Sequence, residues 1–437
     1  MLTQNKSPIL LLSLALACIF TCPLHARAEE MPSKKMLTLE ECIQSARENN
    51  PKLAVYLSRV KQKEEAYSIA EVSGRADLNL SASYNRLAYI SQMKQRFIGN
   101  SLDDYQARLW LKQPLYTGGR TDAVRKESFY SLNSAKKTYE QARNEVVYGV
   151  KTAYYRLLFA GEAVDVKKDL LGRLQSYLSV ARELNRRTKL PREETLLRIK
   201  AQVSNAQQEY VSARKNKAIA GNMLMNAMGV SGNAEIEIAD IEITEEDNSY
   251  RTRDFDLASN PELMRLDEEI KRAESLVSVA GSARYPQVSL QLSYGYEWAK
   301  LLPEQDDWAA GVTLDMPLWD WNRTKARINQ AKAYAGEAGD SRALMEKQLS
   351  YEVESAYLNY RSNMERIIMA REGLQAAQKS LSLFEKRYAD ATATSFELLD
   401  AEQSYLQARL NYIQAVLDMR LAGAEMEKIT GKPYEYK

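Results

Sequence analysis

Histidine, cysteine and clustered carboxylates carry most protein chemistry, and this sequence supplies little of the first two. Its only histidine is His25 and its three cysteines are Cys18, Cys22 and Cys42. All but Cys42 fall within residues 1–28, which read as a secretory signal. Lys6 gives a positive start, Ile9 to Phe20 is an apolar run too short to span a bilayer as a helix, and Ala26-Arg27-Ala28 is a small-x-small cleavage site. A retained anchor or a lipid on Cys22 are the alternatives. Thr21 precedes that cysteine where a lipoprotein signal prefers Gly, Ala or Ser. Cleavage after Ala28 leaves no histidine and one thiol, hence no Ser-His or Cys-His pair, no histidine metal ligand and no internal disulfide. Asp and Glu are plentiful, yet they lie on charged helix faces with no nucleophile–base or metal-ligand constellation among them. Neither an enzyme nor a cofactor nor a metal is expected.

Loss of Lys6 and Arg27 with the signal balances acids and bases, so no bulk field attracts nucleic acid. Beyond the signal no apolar run is long enough for a membrane helix, so entry into a membrane has to be by strands.

The chain is internally duplicated. Asn50-Pro51 recurs as Asn260-Pro261, Gln113-Pro114-Leu115-Tyr116 as Met316-Pro317-Leu318-Trp319, Val150 to Tyr154 as Val353 to Tyr357, Leu196-Leu197 as Leu398-Leu399, and Met228-Gly229 as Thr430-Gly431. The offset stays at roughly 200 residues, too long for a solenoid and suited to duplication of a half-molecule. The expected organisation is a first repeat over 29–230, an acidic linker over 231–256 with one short strand-like piece, and a second repeat over 257–437.

Each repeat contains a very long helix. From Thr121 to Asn185 apolar or small residues recur in steps of three and four, from Leu132 and Ala142 through Val150 and Leu157 to Leu178 and Ala181. Leu349, Val353, Ala356, Tyr360, Ile367, Ala370, Leu374, Ala377, Leu381, Phe384 and Tyr388 repeat the stripe, with Asn363 the one polar interruption. This is the coiled-coil period, over about 65 residues or on the order of 100 Å. Shorter segments, Arg192 to Met228 and Thr394 to Ile429, pack back antiparallel. On the helices alone an ordinary structural coiled coil is the favoured reading.

The remaining segments alternate. Val288 to Trp298 and Trp308 to Leu318 set apolar against small or polar residues, as do Leu78 to Asn85 and, less cleanly, Ala107 to Lys112. Each is about ten residues long, the length of a tilted membrane strand. The five tryptophans, Trp110, Trp298, Trp308, Trp319 and Trp321, fall in or beside these segments, where membrane-interface belts form. Amphipathic hairpins on a soluble core show the same alternation. Four strands cannot close a barrel, so a membrane assignment requires several chains to share one; a trimer would give twelve strands. The fold class expected is mainly α with membrane β: long antiparallel coiled-coil helices forming an α-barrel on a shared trimeric β-barrel.

The sequence resembles the TolC family of outer-membrane efflux proteins. The resemblance rests on Leu37-Thr38-Leu39-Glu40-Glu41-Cys42 through Asn49-Asn50-Pro51, on Gln113-Pro114-Leu115-Tyr116-Thr117-Gly118-Gly119-Arg120, and on Glu397 to Glu402 with Gln407-Ala408-Arg409. It covers nearly the whole chain after the signal. It implies a homotrimeric exit duct in the outer-membrane lipid with a long periplasmic tunnel, working with a periplasmic adaptor and an inner-membrane pump or secretion ATPase. It implies that the tunnel closes where helices turn over, at Arg187 to Arg192 and Ala389 to Ser395. By motif Glu397 and Asp400 match the family's acidic pore ring and Tyr388 its latch tyrosine. Capping of the following helix is the competing role for the two acids. The turn glycines expected of the family are Lys189 and Ala391 here, the latch arginine is Ala393, and Arg198 stands in the first repeat where Asp400 stands in the second. The alternative function is a periplasmic coiled-coil scaffold or adaptor without a pore.

Overall fold

The computed structural model describes residues 36–86, 88–89, 102–188, 193–230, 237–239, 257–298, 305–390 and 392–431. The expected signal, Cys22, most of the linker, Lys189, Ala391 and most of the Arg187–Arg192 turn lie outside them. The described elements are α1 (Leu39–Asn49), α2 (Pro51–Val72), β1 (Asp77–Arg86), β2 (Asp103–Tyr116), α3 (Arg120–Thr188) and α4 (Glu193–Met228). After a single 3-10 turn at Leu257–Ser259 come α5 (Pro261–Ser282), β3 (Gln287–Trp298), β4 (Gln305–Asp315), α6 (Arg323–Ala389) and α7 (Ser395–Thr430). Helix, strand, strand, long helix and return helix thus occur twice.

The long helices α3 and α6 run 69 and 67 residues. No tertiary core surrounds a rod of that length, so its stripe is covered piecemeal. α4 packs along α3, α7 along α6, and α5 fills the space between α3 and α6. The core is accordingly a string of separate clusters. The largest joins Leu39, Cys42, Ala46, Val146, Val150, Tyr154, Leu157, Leu224 and Met228. Burial pushes the Cys42 thiol up to about 12, which keeps it neutral. Leu37 pairs in parallel with Ile238 in a single isolated bridge, and the Tyr154 hydroxyl donates to the carbonyls of Leu37 and Ala239.

The duplicated landmarks turn out to be one device. The Asn50 carboxamide oxygen accepts from the Lys52 amide at 2.9 Å and caps α2, while its Nδ2 donates to the Ala227 carbonyl at 2.8 Å in the last turn of α4. Asn260 does the same, accepting from Glu262 at 2.8 Å and donating to Ile429 at 2.7 Å at the end of α7. Each return helix then stops at a left-handed glycine, Gly229 at φ 76° and Gly431 at φ 70°. A Cβ on Gly229 would sit 2.6 Å from the Asn49 carbonyl oxygen, so space as well as conformation demands glycine there. One asparagine per repeat therefore starts one helix and ties down the end of another.

Asn260 is buried and Asn50 only half-buried. Asn260→Ala should cost about 2 kcal/mol and Asn50→Ala nearer 1 kcal/mol, since the first strands a more desolvated carbonyl. The order of their thermal midpoints by circular dichroism checks this.

Candidate functional site

The four strands form one antiparallel sheet in the order β1-β2-β3-β4. Residues paired across an antiparallel sheet share a face, so the register sorts every side chain. Leu80, Leu109, Tyr294 and Trp308 make one row, Leu78, Leu111, Leu292 and Ala310 the next, and Tyr84, Tyr105 and Trp298 a third. A further row, Ala82, Ala107, Tyr296 and Asp306, lies between the first and the third. The face is therefore apolar through most of the sheet and charged only towards its loop end, at Asp306 and the Arg86–Asp103 pair. It is open, with Leu80 74% exposed and Trp308 77%. The opposite face carries Asn79, Trp110, Ser293 and Ala309 in one row, and Asp77, Lys112, Gln291 and Gly311 in another.

One expectation, the bounds of the last strand, needs correction here. Trp110 stands on the more polar face, in register between Asn79 and Ser293, opposite the face that carries Trp308. Its parity along β2 decides this. The last strand spans Gln305–Asp315 rather than Trp308 to Leu318. Pro317 has no N–H to give a ladder, and the chain turns out of the sheet before it. Trp319 and Trp321 consequently stand on the connection to α6, their rings edge-to-face at 5.6 Å. Trp321 and Asn322 take left-handed φ values of 55° and 63°, where the first repeat has Gly118 and Gly119 at 62° and 81°. The same backbone turn is built twice, once without side chains and once with a tryptophan held at some cost in strain. Tyr84 and Tyr105, with ring centroids 4.9 Å apart, are aromatics of the apolar face that tryptophan counting passed over.

At the other end of the rods, α6 stops at Ala389 and α7 starts at Ser395, where the turn was expected. The turn is closed by the Thr392 and Ala393 amides, which donate to the Arg387 carbonyl at 2.8 and 3.1 Å. Glu397 completes a capping box. Its carboxylate accepts from the Thr394 amide at 2.7 Å and hydroxyl at 2.8 Å, and these bonds hold it below the usual glutamate value. Asp400 is exposed on the next turn and shares a cavity of about 270 Å³ with Arg198, Phe396, Leu399 and Glu402. Arg198 stacks on the Phe396 ring at 4.9 Å. Tyr388 is buried among Leu381, Leu398 and Ala401. Burial raises its pKa, and its hydroxyl has no partner among the described residues.

A charged network just above this turn went unread in the sequence. Arg173 of α3 grips Glu402 of α7 through Nε and Nη2, at 2.7 to 3.1 Å. The Tyr177 hydroxyl donates to Glu385 of α6 at 2.6 Å and reaches Glu402 at 3.0 Å, and Arg173 also lies over the Tyr405 ring. Glu402 is 2% exposed. Its one sequence signal is a carboxylate four residues after Leu398 and four before Leu406, on a face otherwise apolar.

With this geometry in view, the relatives are informative. The model of the outer membrane efflux protein family matches residues 42–230 and 256–432. The outer membrane protein TolC of Vibrio cholerae is 24% identical over 88% of this chain and 90% of its own. Solved structures with the same fold include VceC of Vibrio cholerae, with a TM-score of 0.77 at 20% identity over 91% of this chain and 97% of its own. The CmeC outer membrane channel of Campylobacter jejuni gives 0.76 at 18% identity over 94% of this chain and 91% of its own. The chain belongs to the outer membrane efflux protein family. Its place is the outer membrane, with the helices extending into the periplasm.

Two outcomes follow for the tip. Glu402→Ala leaves Arg173 without its carboxylate and should cost about 3 kcal/mol, read as a lowered thermal midpoint of helicity. Because the folded Glu397 pKa is depressed, the stability it adds is present above the ordinary glutamate value and fades as pH falls through the folded one. Amide exchange at the start of α7 should therefore quicken in acid. Glu397→Gln, which keeps a capping-box side chain, should lose that pH dependence.

Proposed function

We propose that this chain is one third of a passive outer-membrane exit duct, with no catalysis of its own. The observation that carries this reading is the sheet: one largely apolar face, one polar face, and two outer edges, on β1 and β4, with no strand beside them among the described residues. Edges left open in hydrocarbon cost several kcal/mol for each unpaired group, and pairing β4 of one copy with β1 of the next removes them. Three copies give a twelve-stranded barrel, apolar side to lipid and polar side to water. Tyr84, Tyr105, Trp298 and Trp308 then mark one membrane interface and Trp319 and Trp321 the other. Trp321 in particular keeps an aromatic where glycine is the easier residue. Below the membrane the long helices continue the bore, and an inner-membrane pump with a periplasmic adaptor supplies cargo and energy.

The turn at Ala389 to Ser395 is the closing end. Glu397, Asp400 and Tyr388 are proposed to line or latch it, Asp400 as the free acid of the pore and Glu397 through its cap. The buried unpartnered Tyr388 hydroxyl supports a latch made across a subunit boundary.

Detergent-extracted protein should appear as trimers by electron microscopy and conduct ions across a planar bilayer. Asp400→Asn should lower cation preference, and Tyr388→Phe should raise conductance without lowering the thermal midpoint. A monomer that needs no detergent and conducts nothing would end the duct reading.

A further inference from the structure

One row of the polar face is unlike its neighbours. Ser81, Arg108, Gly295 and Asp307 stand in register across the four strands. Arg108 and Asp307 lie on β2 and β4, with β3 between them, about 10 Å apart along the hydrogen-bonding direction. Even so, the guanidinium and carboxylate come within 3.6 Å. They meet because the strand between them has nothing in the way. A Cβ on Gly295 would lie 2.2 Å from Asp307 Oδ1 and 3.2 Å from Arg108 Nε. The β3 positions that flank Gly295 on this face are Ser293 and Glu297, so glycine interrupts a run of longer side chains there. Gly295 is not among the positive-φ glycines, so it serves here for room and not for conformation.

As a stabilising contact the pair is weak, because its side chains are 52% and 70% exposed to water. Its consequence is electrostatic. We propose that Arg108 and Asp307 are selectivity-determining residues of the barrel bore, each masking the other's field, with Gly295 as the gap through which they meet. The proposal rests on the trimeric-duct reading, which puts three such pairs at one level of a water-filled lumen. Low-dielectric walls focus the field of fixed charges into such a lumen. A matched pair presents almost no net charge there; loss of one partner presents three like charges.

Reversal potentials under a potassium chloride gradient test this. They are measured in the Glu397→Gln, Asp400→Asn background so that the distant tip carries no competing acidic ring. Arg108→Gln should raise the cation-to-anion permeability ratio by about twofold or more, and Asp307→Asn should lower it by a similar factor. The double variant should return to the parent ratio, and Arg108→Lys should leave it unchanged. Conducting trimers whose ratio is the same in both single variants, or a double variant that fails to restore it, would overturn the assignment alone. Single variants that fail to assemble while Arg108→Lys assembles would make the pair a folding element and overturn it as well. A parent trimer that conducts no ions would overturn the duct reading beneath it.

Discussion

A backbone amide in hydrocarbon has no water to turn to, and this constraint orders most of the molecule. Four strands present a largely apolar face, and their two outer edges have no strand beside them among the described residues. A sheet in that condition is stable in a bilayer only if its edges meet other edges. The same logic reaches the helices. Rods of 69 and 67 residues leave much of their surface uncovered within one protomer, and their stripes are buried only where α4, α5 and α7 lie against them. The sequence therefore encodes surfaces for assembly more than a closed core.

Duplication explains the economy of this arrangement, and divergence between the copies explains where function concentrates. The asparagine device is the same in both repeats because it solves a local problem, the join of one helix start to another helix end. The strand-to-helix turn is the same in backbone but Gly-Gly in one copy and Trp-Asn in the other. Arg198 and Asp400, at matching positions in the two repeats, line one cavity. Opposite charges at equivalent positions could not arise from packing needs shared by both copies. They mark the tip as a place where the repeats took on different tasks.

Much of this was legible in the residues. Alternation with period two located the sheet because one face is apolar through most of its length. Of the α6 stripe, Leu349, Val353, Ala356, Tyr360, Ile367, Leu381 and Tyr388 are buried, while Ala370, Leu374, Ala377 and Phe384 are only half-buried within one protomer. The stripe of α3 was read too narrowly. Tyr154, Tyr155, Val166 and Leu170 are also buried, because α3 packs against several helices at once and a single-partner stripe is then the wrong template. Trp110 stands apart from Trp308 because position along the strand, and not residue type, sets the face. Glu402 was missed because nothing local says that a carboxylate on an apolar face will find Arg173 more than two hundred residues away. Pairings between distant segments are written in the register and the superposition of helices, and neither is visible in a window of sequence.

The distribution of strength along the rod argues for where it can move. Midway along, the largest core cluster, the buried Lys151–Glu427 ion pair and both asparagine devices hold α3, α4, α5 and α7 together. At the tip the clusters shrink to Leu178, Ala181 and Ile199 on one side and Leu381, Tyr388, Leu398 and Ala401 on the other. What joins the two repeats there is mixed: Leu399 packs against Leu178, Ala181 and Ile199, while Arg173 and Tyr177 bond Glu402 and Glu385. Regions of few buried contacts open at lower free energy than the body they are attached to. A rod with its largest cluster at the middle and its smallest at the end has its lowest cost of local opening at that end.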